Sequence, residues 1–382
     1  MNSSNTISFK DYFGLRNEKE TFSIDPEENA QLLVGSHHQQ YFDQIYNNIE
    51  DKSVQKEGYK AVLFGEFGFG KTHFLHHLKY VLDSQKSTIG LPILPIFIKC
   101  NAFPKKASFA ELWQEFISKI DPKLLGEIIK EYMMKIEKGE VKDFWELSQN
   151  IEIVTAFEVV GTYAKGPQRY NAIRWLRGEK LSTSDLDKIA NAIENGEISG
   201  SVNNEQQISA IMNILGTATQ IVRGKILTFL IDEAERLHNI TEKDAQVLWL
   251  ACLRELAGLK KIGLIFTVGA GTQDEVPLLL VQEEIVTRIS ISNLIRFDSM
   301  DEPKIEEFVK EFIKAMINVN TAEAAKTLSP GSFDETIWPF EQDGFKEFVR
   351  YHYHLWQPRE IIHNLQRITG TAYRKETGLS TI

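Results

Sequence analysis

Residues 59–73, YKAVLFGEFGFGKTH, decide the fold. Residues 59–66 form an apolar run short enough for a buried strand. Gly65-Glu66-Phe67-Gly68-Phe69-Gly70-Lys71-Thr72 then matches G-x-x-x-x-G-K-[ST] in full, with His73 directly after it. Behind the loop Phe74, Leu75, Leu78, Val81 and Leu82 recur at helical spacing, which predicts a helix from Lys71 to about Leu82. Strand, glycine-rich turn and helix are the context this motif requires. Its glycines let the backbone wrap a phosphate with the N–H groups turned inward, and the helix N-terminus adds partial positive charge. Lys71 would reach the β- and γ-phosphates of a nucleotide, and Thr72 would offer its hydroxyl to Mg²⁺.

Outward from the loop, apolar runs at 92–100, 225–231, 262–270 and 293–297 read as four more strands. Helical patterns separate them: Ser108 would cap a helix running to Ile120, and another spans 243–257. Strands alternating with helices imply an α/β fold with a parallel sheet covered on both faces. Residues 121–222 read as almost wholly helical, in stretches 143–165, 168–178, 184–195 and 205–223. From 299 onward the pattern is helical. The expected organisation is an N-terminal extension over 1–58, a core over 59–298 carrying a helical insertion at about 121–222, and a helical domain over 299–382.

The strand at 225–231 ends in Asp232-Glu233. A carboxylate at the C-terminal end of a central strand faces the ligand crevice of an open α/β sheet. Asp232 would hold Mg²⁺, and Glu233 would polarise an attacking water as general base. A solvated helix start capped by Asp232 is the plainer alternative. A phosphate loop and a water-activating glutamate together favour ATP hydrolysis over a small-molecule kinase, whose substrate supplies its own hydroxyl.

Composition sets the outer bounds. The 382 residues are 42% hydrophobic and 25% charged, which excludes a disordered or fibrous chain. Forty-three basic against 53 acidic residues give −10, which excludes a globally basic surface but not a local basic patch. Cys100 and Cys252 lie far apart in apolar contexts, consistent with a reducing compartment. No stretch reaches the roughly 18 apolar residues of a membrane span. A cytoplasmic protein without membrane contact is the expectation.

Loop, Asp-Glu pair, a further strand with a polar end, then an arginine and a helical tail: this order resembles the AAA+ ATPases. Within them it is most similar to the origin-recognition and initiator-like branch, including bacterial TniB/TnsC-type and BREX-type ATP-binding proteins of transposition or phage defence. Leu33-Val34-Gly35-Ser36 resembles the stretch bordering the adenine pocket in that group, with Ser36 in place of the usual arginine. Arg174-Trp175-Leu176-Arg177-Gly178-Glu179 and the long helix before 225–231 are similar to bacterial members. The resemblance implies a P-loop AAA+ αβα core, a C-terminal helical lid, and Val34 among the nucleotide-contacting residues. It gives Thr272 the part of a polar sensor, with Thr267 as the alternative register. Arg288 becomes a finger reaching a neighbouring subunit's γ-phosphate, and Arg359, behind Pro358, a second sensor on the lid. It thus implies a homo-oligomer sharing its ATP site between subunits, with the insertion as a platform for a protein partner and DNA left open. The competing reading is a slowly hydrolysing switch or scaffold.

Other residues are less specific. His73 and His77 stand four apart, a metal-compatible spacing, but no Cys or acidic partner lies near them in sequence. His37-His38 and His352-Tyr353-His354 read as structural or exposed, and Phe67 and Phe69, at variable positions of the loop, as packing residues. The window 161–180 sets Lys165, Arg169, Arg174, Arg177 and Lys180 against Glu179, with Tyr163, Tyr170 and Trp175 interleaved. That mixture suits a nucleic-acid backbone; a solvated helix face with Trp175 in the core is the commoner explanation. Residues 301–382 carry 10 basic and 13 acidic residues, so by count the tail is not a basic reader of DNA.

Overall fold

In this computed structural model five strands form a parallel sheet in the order β2-β3-β4-β1-β5. They are β1 (Lys60–Gly65), β2 (Ile93–Lys99), β3 (Ile226–Asp232), β4 (Ile262–Gly269) and β5 (Leu294–Arg296). The described residues are 8–16, 25–84, 93–100, 109–239, 243–276, 280, 282–326, 334, 336–353 and 357–377. Ser108 and His354 lie outside them. The central strands are the most apolar because helices cover both faces of a parallel sheet: every residue of β3 is buried, and every residue of β4 except the last. β2 pairs with β3 from Ile93–Ile226 to Lys99–Asp232, so the end of β2 stands beside the acidic end of β3.

The helices are α1 (Phe9–Phe13), α2 (Ser36–Val54), α3 (Lys71–Asp83), α4 (Phe109–Ile117), α5 (Pro122–Glu137), α6 (Phe144–Leu147), α7 (Ile151–Thr162), α8 (Pro167–Leu176), α9 (Thr183–Ala190) and α10 (Glu205–Arg223). After them come α11 (Lys243–Gly258), α12 (Glu283–Ile289), α13 (Glu302–Met316), α14 (Glu323–Lys326), α15 (Gln342–His352) and α16 (Pro358–Thr377). The single helix expected over 143–165 is two. Asp143 and Glu146 close a capping box around α6, Ser148 turns extended, and Asn150 starts α7 by accepting from the Ile153 N–H.

By contact the chain divides into two units. One comprises Tyr46–Phe64 and Val81–Ile295; the other comprises Met1–Ile45, Gly65–Tyr80 and Arg296–Ile382. The core of the first is continuous from the sheet into the insertion. Phe229 of β3 meets Phe116, Phe116 meets Trp249, and Tyr132, Phe144 and Phe157 stack in sequence beyond. Cys252 is fully enclosed there, and burial raises its thiol pKa. The second unit has its own core of Ile305, Phe308, Phe312, Phe345, Phe348, Ile361 and Leu365, which Leu15 joins. Leu15 pairs with Ile317, and Phe9 and Tyr12 rest on Tyr373.

Candidate functional site

The phosphate loop belongs to the second unit. Gly68 and Gly70 sit at φ +86° and +85°, where a side chain would strain the backbone. Contacts restrict them further: a Cβ on Gly68 would meet Gln357 Oε1 at 2.7 Å, and one on Gly65 would meet the Phe297 carbonyl at 2.7 Å. Lys71, the first residue of α3, is 8% exposed, and its Nζ donates to the Gly65 and Glu66 carbonyls at 2.7 Å each. Phe69 is buried, and its carbonyl accepts from His38 Nε2 at 3.2 Å. Phe67 is 68% exposed, with its ring centroid 6.0 Å from Lys71 Nζ. Thr72 is half-buried in the first turn of α3. Positive-φ glycines, a lysine folded onto the loop and a helix start fit a phosphate chain.

Histidines tie the preceding segment to this helix. His73 Nε2 donates to the Asn29 carbonyl at 3.0 Å and His77 Nδ1 to the Ala30 carbonyl at 2.8 Å. Their metal-compatible spacing therefore serves two backbone acceptors, and no cluster of three metal-binding side chains occurs among the described residues. Burial lowers the pKa of both, and it lowers His38 further, to about 4. Val34 is half-buried against the core of the second unit. The Gly35 N–H donates to Glu311 at 2.5 Å, and Ser36, standing where the resemblance expects arginine, donates to Glu307 at 2.6 Å. Arg359 occupies the second position of α16 and is exposed.

The acidic pair belongs to the first unit. Asp232 is 1% exposed and accepts from the Thr267 hydroxyl at 2.6 Å. The same hydroxyl oxygen accepts the Glu233 N–H at 3.3 Å. Glu233 holds φ +57°, a left-handed conformation uncommon for a non-glycine residue. Its carboxylate is clamped by Arg236 at 2.6 Å and Lys99 at 3.2 Å. Glu235 accepts the Gly269 N–H at 2.9 Å. The Cys100 N–H donates to the Asp232 carbonyl at 2.9 Å, while burial and the Asp232 charge push the Cys100 thiol up to about 12.

The structure brings Asp232, Glu233 and Thr267 together. Thr272 sits apart, exposed, with its N–H on Glu275. Arg288 is exposed, and its guanidinium donates to the Arg254 carbonyl. Of the basic window, Arg169 donates to the Tyr163, Ala164 and Gly126 carbonyls, Arg174 and Arg177 pair with Glu179, and Trp175 is fully buried. Only Lys165 and Lys180 among its basic residues are exposed. Lys99, Arg236, His38 and Gln357 carried no motif. Lys99 becomes visible only through the β2–β3 register.

No family model matches the sequence, and no curated protein matches it. Among solved structures the chain is similar to Orc1 of Aeropyrum pernix in complex with DNA, at 13% identity and TM-score 0.44, over 90% of this chain and 62% of that one. It is also similar to a Walker-type ATPase of Pyrococcus abyssi, at 15% identity and TM-score 0.34, over 86% of this chain and 73% of that one. This chain thus spans less than two thirds of the Orc1 chain. At these scores the fold rests on the chain's own features: a parallel sheet ordered β2-β3-β4-β1-β5 and a Gly-rich loop joining β1 to α3, the architecture of a P-loop α/β protein.

Proposed function

We propose that this chain is an Mg-ATP hydrolase of AAA+ type, acting as an oligomer to remodel or recruit DNA or a protein partner. The observation that supports it most is the end of β3, where Asp232 is held on Thr267 and Glu233 follows in a strained backbone. A structural cap needs neither feature. In this reading the loop from Gly65 to Thr72 holds the phosphates, Lys71 neutralises them, and Thr72 and Asp232 hold Mg²⁺. Bound Mg²⁺ would supply charge stabilisation at the transferring phosphate. It needs only one or two protein ligands beside the phosphates, so a single buried aspartate and a threonine suit it. Glu233 is the general base, with Thr267 the better-placed polar sensor. Arg288 is proposed as the finger for a neighbouring copy, Arg359 as the second sensor, and the insertion as a partner platform. A setting in transposition or phage defence is supported by the sequence resemblance alone.

The clamp on Glu233 favours a gated form of this activity. A glutamate whose carboxylate oxygens are held by Lys99 and Arg236 is not free to take up a water until one cation lets go, which is how a slowly hydrolysing switch would rest. ATP turnover measured against protein concentration, for wild type, Glu233→Gln and Arg288→Ala, tests both readings. Specific activity rising with concentration, and lost in both variants while ATP still binds, is expected for the oligomeric hydrolase. Tight ATP binding with negligible turnover at every concentration would leave the switch in its place.

A further inference from the structure

By count, residues 301–382 are acidic, with 13 acids against 10 bases. Along α16 the three arginines are nonetheless sorted to one side, with Lys375 outside their arc. Pro358, Ile361, Leu365 and Thr369 are buried and form one stripe of the helix. At 3.6 residues per turn, Arg359, His363, Arg367 and Arg374 share an arc of about 80° centred opposite that stripe. All four are exposed. None of them makes an ion pair or a side-chain hydrogen bond among the described residues. They extend over about 22 Å, the first three one step of about 6 Å apart. Glu360 borders the arc, and no carboxylate lies within it.

Gly370 falls on the same arc, in mid-helix. A Cβ there would meet nothing within 4 Å, so packing does not demand a glycine. It weakens the helix relative to alanine. It also leaves the backbone bare at the centre of the ridge, where another chain could come close.

We propose that the outer face of α16 binds the phosphate backbone of duplex DNA without regard to sequence. Three outward guanidinium groups in line, with His363 between the first two, match a polyanion that carries a charge at every repeat. The ridge has no Trp, Phe or Leu to enter a lipid surface. Its one aromatic ring is the His363 imidazole, too few to stack successive unpaired bases; Tyr373 is turned toward Phe9 and Tyr12. This surface goes beyond the ATPase reading and does not depend on it.

The test uses the full chain without nucleotide and labelled short duplexes of two unrelated sequences, followed by anisotropy between about 50 and 200 mM NaCl. Arg359 is left intact because of its proposed place at the nucleotide. Wild type is expected to bind both duplexes alike, with a log–log salt slope near −3. Arg367→Glu/Arg374→Glu should weaken binding at least about tenfold and flatten the slope by about 2. Its DNA-free ATP turnover should be unchanged. Arg367→Gln/Arg374→Gln should act in the same direction at an unchanged thermal midpoint, which separates binding from folding. Lys130→Glu/Lys138→Glu, on α5 and just past its end, should bind as wild type does. The proposal fails if wild type does not bind at the lowest salt, or if the Arg367/Arg374 variants bind as wild type does. It fails equally if one duplex is strongly preferred, or if a single strand of the same length binds more tightly than the duplex.

Discussion

Thr267 serves two neighbours with one oxygen: it donates to Asp232 and accepts from the Glu233 backbone. Thr267→Val keeps the shape and removes both bonds in a buried setting. It should cost about 1–3 kcal/mol of stability, measured by urea unfolding, and lower ATP turnover more than ATP affinity. His38 makes a different prediction. Its pKa falls from 6.5 to about 4 on folding because burial disfavours the charged ring near His37 and His73. The unfolded chain therefore binds this proton more readily, so stability is full above about pH 6.5 and falls as pH drops toward 4, by about 3 kcal/mol. His73 and His77 are lowered in the same direction and steepen the fall. His38→Gln keeps an N–H for the Phe69 carbonyl without the titration. Its thermal midpoint should decline less than wild type between pH 6.5 and 4.5, and an identical acid limb would remove His38 from the account.

At the scale of elements, the loop after β1 and the acidic end of β3 were legible because each is a local pattern. A full phosphate-loop motif stands between a strand and a helix, and a run of apolar residues ends in two carboxylates. What escaped reading is what the crossovers assemble. Lys99 stands beside the acidic pair only because β2 pairs with β3 in one register. The break between α6 and α7 was hidden because both helices keep apolar spacing while short polar residues cap them. The basic window 161–180 read as a surface, yet its arginines tie carbonyls within the insertion and, through Arg177, the Ser118 carbonyl just before it. The clamp yields a prediction at this scale. Arg236→Ala removes the nearer cation from Glu233, and a half-exposed pair is worth at most about 1 kcal/mol. Steady-state phosphate release should therefore rise, by up to about fivefold. A tenfold fall would mean that Arg236 positions the base rather than restrains it.

For the whole molecule, a nucleotide that binds only the folded chain must stabilise it. At a hundred times its Kd, Mg-ATP should add about 2.7 kcal/mol, seen as a raised thermal midpoint in wild type and absent in Lys71→Ala. Glu233→Gln should keep the shift, since it alters the proposed base and leaves the loop in place. Counted over the chain, the charge says little about where cations are presented: the sum is −10, yet α16 carries its arginines outward on one side. The two cysteines carry a practical corollary. Cys100 and Cys252 are both buried and unpaired, with thiols held protonated well above neutrality. The native protein is thus nearly silent toward maleimide reagents. A single Thr371→Cys or Tyr170→Cys thiol would take a dye alone, and fluorescence from that one position could follow DNA at the helix or a partner on the insertion without first stripping the chain of its own cysteines.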